Sequence, residues 1–376
     1  MEALSAEKRA LLSLTDAEIR TLLKLAAQSS GVSIPEGDGK IALPDDVKTK
    51  LRRIERLRDS GRNSPDEENW ANYVTRIRKL SYYRPETLKQ MDEKRAFREI
   101  IASCREHHLP DDFALEMGPT ILEYWKTGRI KPILIHGPAG CGKTLAAIIL
   151  TKIAGIQYYL TSATACDHRH GVLGEGGAYK FADIGELWRG ILQTLILNPA
   201  FIFDEIDKIS HSSEHLSIES EFLSILNDEN RQFTDNYLGF PTSLSRSIII
   251  FTCNDIQTVS EPLKDRCMIY AFKEVPLERM LLIIEEYAAD LIQASYASAL
   301  VLNSNALRRG VEKLYQKGIH SVRQHKNLIE NSFKQAYGRY LTTDQGSVSV
   351  DDTIYIEQVE RLHSSGLVSG TVGFSF

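Results

Sequence analysis

The sequence predicts an α/β fold in which a parallel sheet carries a nucleotide site, with helical regions before and after the sheet. Three observations predict this fold. An apolar run at residues 132–136 leads into a glycine-rich phosphate-binding motif and then into a helical pattern. A second apolar run, at residues 200–203, ends in two carboxylates, and doubly wound sheets bind their ligands at such strand ends. Residues 277–341 then follow a largely helical pattern.

The phosphate-binding motif is Gly137-Pro-Ala-Gly-Cys-Gly142-Lys143-Thr144, which fits G-x-x-x-x-G-K-[ST] at every fixed position. Its glycines let successive backbone N–H groups point at phosphate oxygens, and the following helix adds the positive end of its dipole. Lys143 is expected to reach the β- and γ-phosphates, and the Thr144 hydroxyl to bind Mg²⁺. The predicted nucleotide contacts are Gly137, Pro138, Ala139, Gly140, Cys141, Gly142, Lys143, Thr144, Leu145 and Asp204.

Three further side chains are predicted to take part in hydrolysis. Asp204 would hold the Mg²⁺ that bridges the phosphates, and Glu205 would polarise the attacking water. Asn254, at the end of another apolar run, is placed to bond the γ-phosphate or that water. The sequence therefore predicts ATP and Mg²⁺ as the bound groups.

Arg266 stands on a predicted turn just before the strand at residues 268–272. An arginine at such an edge can reach the γ-phosphate held by a neighbouring subunit, which is worth roughly 10³ to 10⁵ in rate. A surface ion pair with Asp265 is the alternative interpretation of the same residue.

Composition limits the class of protein. The 376 residues suit about two or three domains, and 43% hydrophobic with 25% charged residues is typical of a soluble globular protein. A net charge of -5 argues against dominant nucleic-acid binding. The apolar runs are too short to span a bilayer, and no signal-peptide core is present. Five cysteines without a C-x-x-C pair predict a reducing, cytoplasmic location.

Residues 1–69 are predicted to be a helical region with flexible linkers, and residues 70–131 a helical lead-in to the nucleotide domain. A capping box from Thr15 to Glu18 marks a helix within residues 1–29, and residues 59–68 are a candidate linker. The basic run at residues 48–58 is either a solvated helix face or a patch that binds a phosphate or a partner.

Two cysteines raise separate hypotheses. Cys166, His168 and His170 could be imagined as zinc ligands, although their spacing is not one of the usual structural-zinc patterns. Cys141 lies at a helix N-terminus beside Lys143, which should lower the pKa of the thiol and make it a site of redox inhibition.

With these motifs in place, residues from about 72 to 364 resemble the AAA+ ATPase module of Lon proteases. The strings that carry the resemblance are FIFDEIDKIS, FTDNYLGFPTSLSRSIIIFTCNDI, EPLKDR, VRQHKNLIE and SVSVDDTIYIEQVERL. The resemblance implies a large AAA+ α/β domain at 132–275, a small helical lid at 276–364 and a tail at 365–376. It also implies a ring, usually of six subunits, that binds ATP between neighbours.

The resemblance also implies roles for single residues. Asn254 matches the sensor-1 position, Arg266 the arginine finger that acts in trans, and Arg323 the sensor-2 arginine of the lid. A pore loop is expected between the second strand and the Asp204 strand. Its residues are Tyr179, Lys180 and Phe181, of which Lys180 departs from the family pattern.

In Lon proteases a proteolytic domain with a Ser-Lys dyad follows the lid, whereas this sequence ends within about a dozen residues of that boundary. The expectation is therefore a Lon-like ATPase module without a peptidase, which remodels or unfolds a protein client. One alternative is a nucleotide-gated scaffold for a separate effector. Another is an ATPase partner of a separately encoded protease, which the tail tripeptide Val372-Gly-Phe374 suggests.

Overall fold

We describe the fold from a computed structural model of the chain. The structure describes residues 41, 43–60, 62, 64–83, 92–167, 171–176, 182–209, 216–227, 231–296, 299–343 and 347–350. The predicted helix with the Thr15–Glu18 capping box and the C-terminal tail lie outside these residues. The chain divides into two compact units, Met1–His136 with Thr144–Tyr270 and Gly137–Lys143 with Ala271–Phe376.

Four helices precede the sheet in the described part of the first unit. They are α1 (Asp45–Asp59), α2 (Pro65–Ile77), α3 (Glu93–Glu106) and α4 (Asp111–Thr127). Helix α1 buries Val47, Leu51 and Ile54, so the basic residues between them lie on its outer face. The predicted linker at residues 59–68 is too long. Ser64 and Glu67 form a capping box, and α2 has already begun at Pro65.

A five-stranded sheet forms the centre of the first unit. Its strands are β1 (Ile133–His136), β2 (Tyr158–Ser162), β3 (Ala200–Asp204), β6 (Ile249–Cys253) and β7 (Met268–Ala271), in the order β2-β3-β6-β1-β7. The pairs β2/β3, β3/β6 and β1/β6 are parallel. The predicted α/β fold with a parallel sheet is therefore confirmed.

The described part of the first unit also contains further helices and a short hairpin. The helices are α5 (Lys143–Ile153, whose first residue belongs to the second unit), α6 (Ala163–Asp167), α7 (Glu186–Thr194), α8 (Leu216–Leu226) and α9 (Glu261–Asp265). The hairpin pairs β4 (Gln232–Thr234) with β5 (Pro241–Ser243).

Aromatic packing holds the central strands in place. Phe201 and Phe203 on β3 stack at a centroid distance of 6.1 Å, and Phe203 stacks on Phe251 of β6 at 5.7 Å. Phe222 of α8 meets Phe203 and Phe251 edge-on at 4.7 and 5.2 Å. Strands β3 and β6 are buried almost throughout, as expected where helices cover both faces of a parallel sheet. This packing holds the C-terminal ends of β3 and β6 in place, so side chains at those ends have defined positions.

The second unit is mainly helical. It contains α10 (Leu277–Leu291), a π-helical turn (Ile292–Tyr296), α11 (Ser304–Gln316), α12 (Val322–Thr342), and the parallel pair β8 (Leu300–Leu302) and β9 (Val348–Val350). Asn303 caps α11, and Ser321 caps α12. The fully buried His325 bonds the Ile319 carbonyl, and burial lowers the pKa of its imidazole.

Two further properties concern the described residues. All five cysteines of the sequence lie among them, and each is buried and outside any disulfide bond. No described helix combines the length and the apolar character needed to cross a bilayer.

Candidate nucleotide site

The phosphate-binding motif is a tight turn in the second unit. Gly137 and Gly140 have φ angles of 147° and 75°, values that favour glycine. A Cβ on Gly140 would lie only 2.0 Å from the Ser321 hydroxyl oxygen. The buried Lys143 Nζ donates to the carbonyls of Gly137 and Pro138 at 2.8 and 2.9 Å. The ammonium group therefore lies inside the turn, over the backbone that the motif would wrap around phosphate.

The start of helix α12 contacts the same turn. The Val322 N–H donates to the Gly140 carbonyl at 3.1 Å, next to the Gly140–Ser321 approach. Arg323, the predicted sensor-2 arginine, is the next residue and is exposed in the first turn of α12. Sequence spacing alone could not give this neighbourhood, because residues 140 and 322 are far apart in the chain.

The two predicted Mg²⁺ ligands are in contact in the first unit. The Thr144 hydroxyl donates to both Asp204 carboxylate oxygens, at 3.0 and 3.1 Å. Thr252 of β6, a residue that sequence reasoning missed, donates its hydroxyl to Asp204 as well and accepts from the Glu205 N–H at 3.2 Å. Hard oxygen donors of this kind suit Mg²⁺, so the residues present fit the predicted ion.

Glu205 follows β3 in the left-handed backbone region, with φ 59° and ψ 49°. A non-glycine residue rarely occupies this region, and such residues cluster at functional sites. Its carboxylate forms an ion pair with Lys208 at 2.6 Å, one turn further along the chain. Lys208 is a second residue that sequence reasoning missed.

Asn254 follows β6, and a carboxylate holds its backbone. Asp207 Oδ2 accepts from the Asn254 N–H at 3.0 Å and from the Asp255 N–H at 3.3 Å. Asp207 comes from the turn that follows Glu205, so the segments after β3 and β6 are tied together. Sequence reasoning missed this residue, although the string D-E-I-D contains it.

Arg266 lies at the C-terminal end of α9. Its Nε and Nη2 both donate to Asn227 Oδ1, the former at 2.9 Å, and its Nη1 donates to the Pro262 carbonyl at 2.6 Å. The alternative interpretation as an ion pair with Asp265 is not what the structure shows.

Other predicted residues lie elsewhere or behave differently. Leu145, a predicted nucleotide contact, follows the phosphate-binding motif and is 47% exposed. Tyr179, Lys180 and Phe181 lie outside the described residues. The expectation for Cys141 is wrong, because burial raises the pKa of its thiol more than Lys143 lowers it. A reactive thiolate is therefore not favoured in the phosphate turn.

The zinc hypothesis gains no support from the structure. Cys166 is buried in α6, and His168 and His170 lie outside the described residues. Over the part of the chain that the structure describes, no group of three or more His, Cys, Asp or Glu side chains could hold a metal.

The F-T-D-N-Y-L segment, which begins in β4, bonds the two chain segments that flank residues 177–181. The fully buried Asp235 accepts from the N–H groups of Gly185, Tyr237 and Leu238 at 2.8, 3.0 and 2.9 Å. Asn236 bonds the other flank through the Leu173 carbonyl at 2.7 Å. Desolvation raises the pKa of the Asp235 carboxyl to about 6, which these hydrogen bonds only partly oppose.

A series of polar side-chain contacts then connects the flank at Asp183 with helix α2 and with the sheet. Asp183 accepts from the Tyr73 hydroxyl of α2 at 2.8 Å and pairs with Arg189 at 2.9 Å. Arg189 lies 3.5 Å from Glu186, which accepts from the Tyr159 hydroxyl of β2. The helical lead-in and the edge strand of the sheet thus meet at one end of the segment that contains Tyr179.

Comparison with known proteins gives the class. Residues 133–275 match the family "ATPase family associated with various cellular activities (AAA)". This part of the chain is an AAA+ ATPase domain with a phosphate-binding loop, and the predicted class of enzyme is confirmed.

The domain is Lon-like. A mitochondrial Lon protease homolog of Yarrowia lipolytica is 29% identical over 266 residues, which is 65% of this chain and 22% of that protein. The mitochondrial homolog of Kluyveromyces lactis is 26% identical over 357 residues, 89% of this chain and 29% of that protein. A Lon protease of Clostridium acetobutylicum is 29% identical over 243 residues, 63% and 30% respectively. The chain thus spans less than a third of the length of these relatives.

Proposed function

We propose that this chain is a Mg²⁺-dependent AAA+ ATPase that assembles into a ring, with six subunits the expected number, and remodels or unfolds a protein client. The observation that carries the ATPase mechanism is the contact of Thr144, Asp204 and Thr252 at the C-terminal ends of β3 and β6. Ligands of doubly wound sheets bind at this edge.

The residues divide the work as follows. Lys143 exchanges the Gly137 and Pro138 carbonyls for phosphate oxygens, and Asn254 bonds the γ-phosphate or the attacking water. Thr144 and Asp204 would hold Mg²⁺, which would supply positive charge against the charge that develops on the phosphates. Glu205 accepts a hydrogen bond from the water and orients it. Lys208 pairs with the same carboxylate and restricts its orientation.

Two arginines complete the proposed site. Arg323 acts from the lid, where its neighbour Val322 already contacts the phosphate turn. Arg266 acts on the nucleotide of the neighbouring subunit. A site built from two subunits makes hydrolysis depend on assembly, which is the reason for proposing a ring.

The client is proposed to be a polypeptide, since the relatives are named as proteases and proteases act on proteins. Tyr179 is the proposed aromatic that grips it. The cysteine usage supports a cytoplasmic location, and the charge of -5 gives no support for nucleic acid as a partner.

The first prediction concerns Glu205→Gln. This variant should bind ATP normally but hydrolyse it about 10²- to 10⁴-fold more slowly, because it lacks the carboxylate that activates water. Steady-state turnover and nucleotide binding are measured with and without a carboxymethylated, permanently unfolded model protein. Glu99→Gln, which alters an exposed pair with Arg95, is the control and should leave turnover unchanged.

The same assay separates the remodelling hypothesis from the scaffold hypothesis. Tyr179→Ala should abolish stimulation by the unfolded protein while keeping basal turnover. If Tyr179→Ala is still stimulated by the unfolded protein while Arg266→Ala loses ATP turnover, the proposed role of Tyr179 in gripping a polypeptide is refuted. The scaffold hypothesis is then favoured. Full turnover in Glu205→Gln would contradict the proposed mechanism itself.

A further inference from the structure

Arg266 is held by its own subunit in a defined way. The Nε and Nη2 of Arg266 are both hydrogen-bond donors, so the Asn227 atom that they share must be an acceptor. That atom is therefore the amide oxygen Oδ1 and not the amide nitrogen. The Pro262 carbonyl takes Nη1. Asn227 therefore grips the side of the guanidinium group that carries Nε.

The contacts with Asn227 and Pro262 leave two N–H groups of the Arg266 guanidinium for another partner. A guanidinium group has five N–H bonds. The three contacts use one each on Nε, Nη1 and Nη2. One N–H on each terminal nitrogen remains, and such a pair is suited to two oxygens of a phosphate. The contact with Asn227 is thus compatible with phosphate binding and does not compete with it.

Asn227 and Arg266 each follow a helix that is packed into the core through a buried side chain. Asn227 directly follows α8, where Phe222 packs against Phe203 and Phe251. Arg266 directly follows α9, where Leu263 is 1% exposed. Phe203 immediately precedes Asp204, and Phe251 lies three residues before Asn254. The position of the guanidinium group is therefore linked to the strands that carry this subunit's own catalytic residues.

We propose that Asn227 is the positioning residue of Arg266, presenting the two remaining N–H groups to the γ-phosphate of a neighbouring subunit. This inference rests on the proposed function of Arg266 in trans. A long arginine side chain loses considerable rotamer freedom when it is fixed. Asn227 removes most of that freedom before the subunits meet, so less is lost in the transition state.

The test uses the full chain at a concentration where it assembles. Asn227→Leu keeps the approximate size and removes the acceptor, so kcat should fall about 10²-fold, the effect of a misplaced catalytic group, with an unchanged KM for ATP. Arg266→Ala should lower kcat by a factor of roughly 10³ to 10⁵. Asn227→Asp retains the acceptor oxygens and should restore most of the turnover.

The matched control is Asn72→Leu. Asn72 accepts from Arg58 at 2.9 Å in another exposed arginine–asparagine contact, on α2, and its loss should leave kcat unchanged. Thermal unfolding and assembly size are recorded for every variant, so that a folding or assembly defect is separated from a positioning defect.

A mixing experiment tests action in trans. Lys143→Ala subunits lack the phosphate-binding lysine but carry an intact Asn227–Arg266 pair, whereas Asn227→Leu subunits have the opposite defect. Mixed assemblies should therefore turn over faster than either variant alone. No gain on mixing would overturn the inference.

The remaining outcomes separate the two proposals. If Arg266→Ala retains full turnover, the proposed role of Arg266 fails and this inference fails with it. If Arg266→Ala is inactive while Asn227→Leu keeps or exceeds wild-type kcat, the inference about Asn227 alone is refuted. Equal losses in Asn227→Leu and Asn227→Asp would also refute it, because the acceptor would then not matter.

Discussion

Thr252 shows how a single hydroxyl group can join two carboxylate residues of the predicted site. Its side chain donates to Asp204 and accepts from the backbone of Glu205, and it is 1% exposed. A buried hydroxyl in this position fixes the geometry of both neighbours without taking part in the reaction itself.

We expect Thr252→Val to reduce kcat by about ten- to a hundredfold, since a hydrogen bond to a charged group is worth about 1.5–3 kcal/mol. The valine has the same shape but leaves the Glu205 N–H without its acceptor. Turnover at saturating ATP and Mg²⁺ is the measurement.

Thr242→Val is the control for that experiment. The Thr242 hydroxyl is buried without a hydrogen-bond partner among the described residues, so its removal should leave turnover unchanged. Full activity in a folded Thr252→Val variant would show that the hydroxyl has no positioning role.

Local and distant residues of the site differed in how far they could be predicted. The phosphate motif and Asp204–Glu205 were found because each is contiguous in sequence and has its own pattern. Thr252, Asp207 and Asn227 were missed because their partners are 48, 47 and 39 residues away. Only the pairing of β3 with β6 and the packing of α8 bring them to the site.

At the scale of elements, the segment after β4 acts as a clamp on the flanks of residues 177–181. Asp235 bonds Gly185 on one flank, while Asn236 bonds Leu173 on the other. Gly174 has a φ of 76°, and a Cβ there would lie 2.7 Å from an Asp235 oxygen. The close approach explains why a glycine stands at this position.

Asp235→Asn should lower the free energy of unfolding by about 1–3 kcal/mol at pH 7, because an amide N–H would face the Gly185 N–H that the carboxylate now accepts. Urea unfolding monitored by tryptophan fluorescence measures this loss. Asp265→Asn, at an exposed position, is the control and should change the stability little.

The same variant has a predicted pH signature. The pKa of about 6 in the folded chain lies above the ordinary aspartate pKa of 3.8, so the stabilisation from this group is fully present at low pH and is lost as pH rises through about 6. Subtracting the Asp235→Asn curve from the wild-type curve should reveal this falling component. A difference that is flat between these two values would contradict the assignment.

The strands and helices were predicted well where hydrophobic patterns were long. Strands β1, β3 and β6 and helices α10 to α12 lie close to their expected positions. The boundary before α2 was missed because the polar composition of residues 59–68 also suits a helix N-terminus with Ser64 as its cap. Polar residues at a helix start and in a linker are chemically alike.

At the scale of the molecule, nucleotide binding should stabilise the folded chain. A ligand that binds only the folded state at a hundred times its Kd adds about 2.7 kcal/mol to the free energy of unfolding. A slowly hydrolysed ATP analogue with Mg²⁺ should therefore raise the thermal midpoint of the wild-type chain at fixed protein concentration.

Lys143→Ala should lose most of this shift, because it removes the ammonium group that would bind the phosphates. Lys126→Ala, which alters an exposed pair with Glu93, should retain it. An equal shift in the wild type and in Lys143→Ala would place nucleotide binding outside the phosphate motif.

The burial of all five cysteines makes the chain well suited to thiol labelling. Buried native thiols react slowly with maleimides, so dyes should attach almost exclusively to introduced cysteines. Ser224→Cys and Asn305→Cys are exposed positions in the first and second units. A dye pair at these positions would let single-molecule fluorescence follow the distance between the units during each ATP turnover.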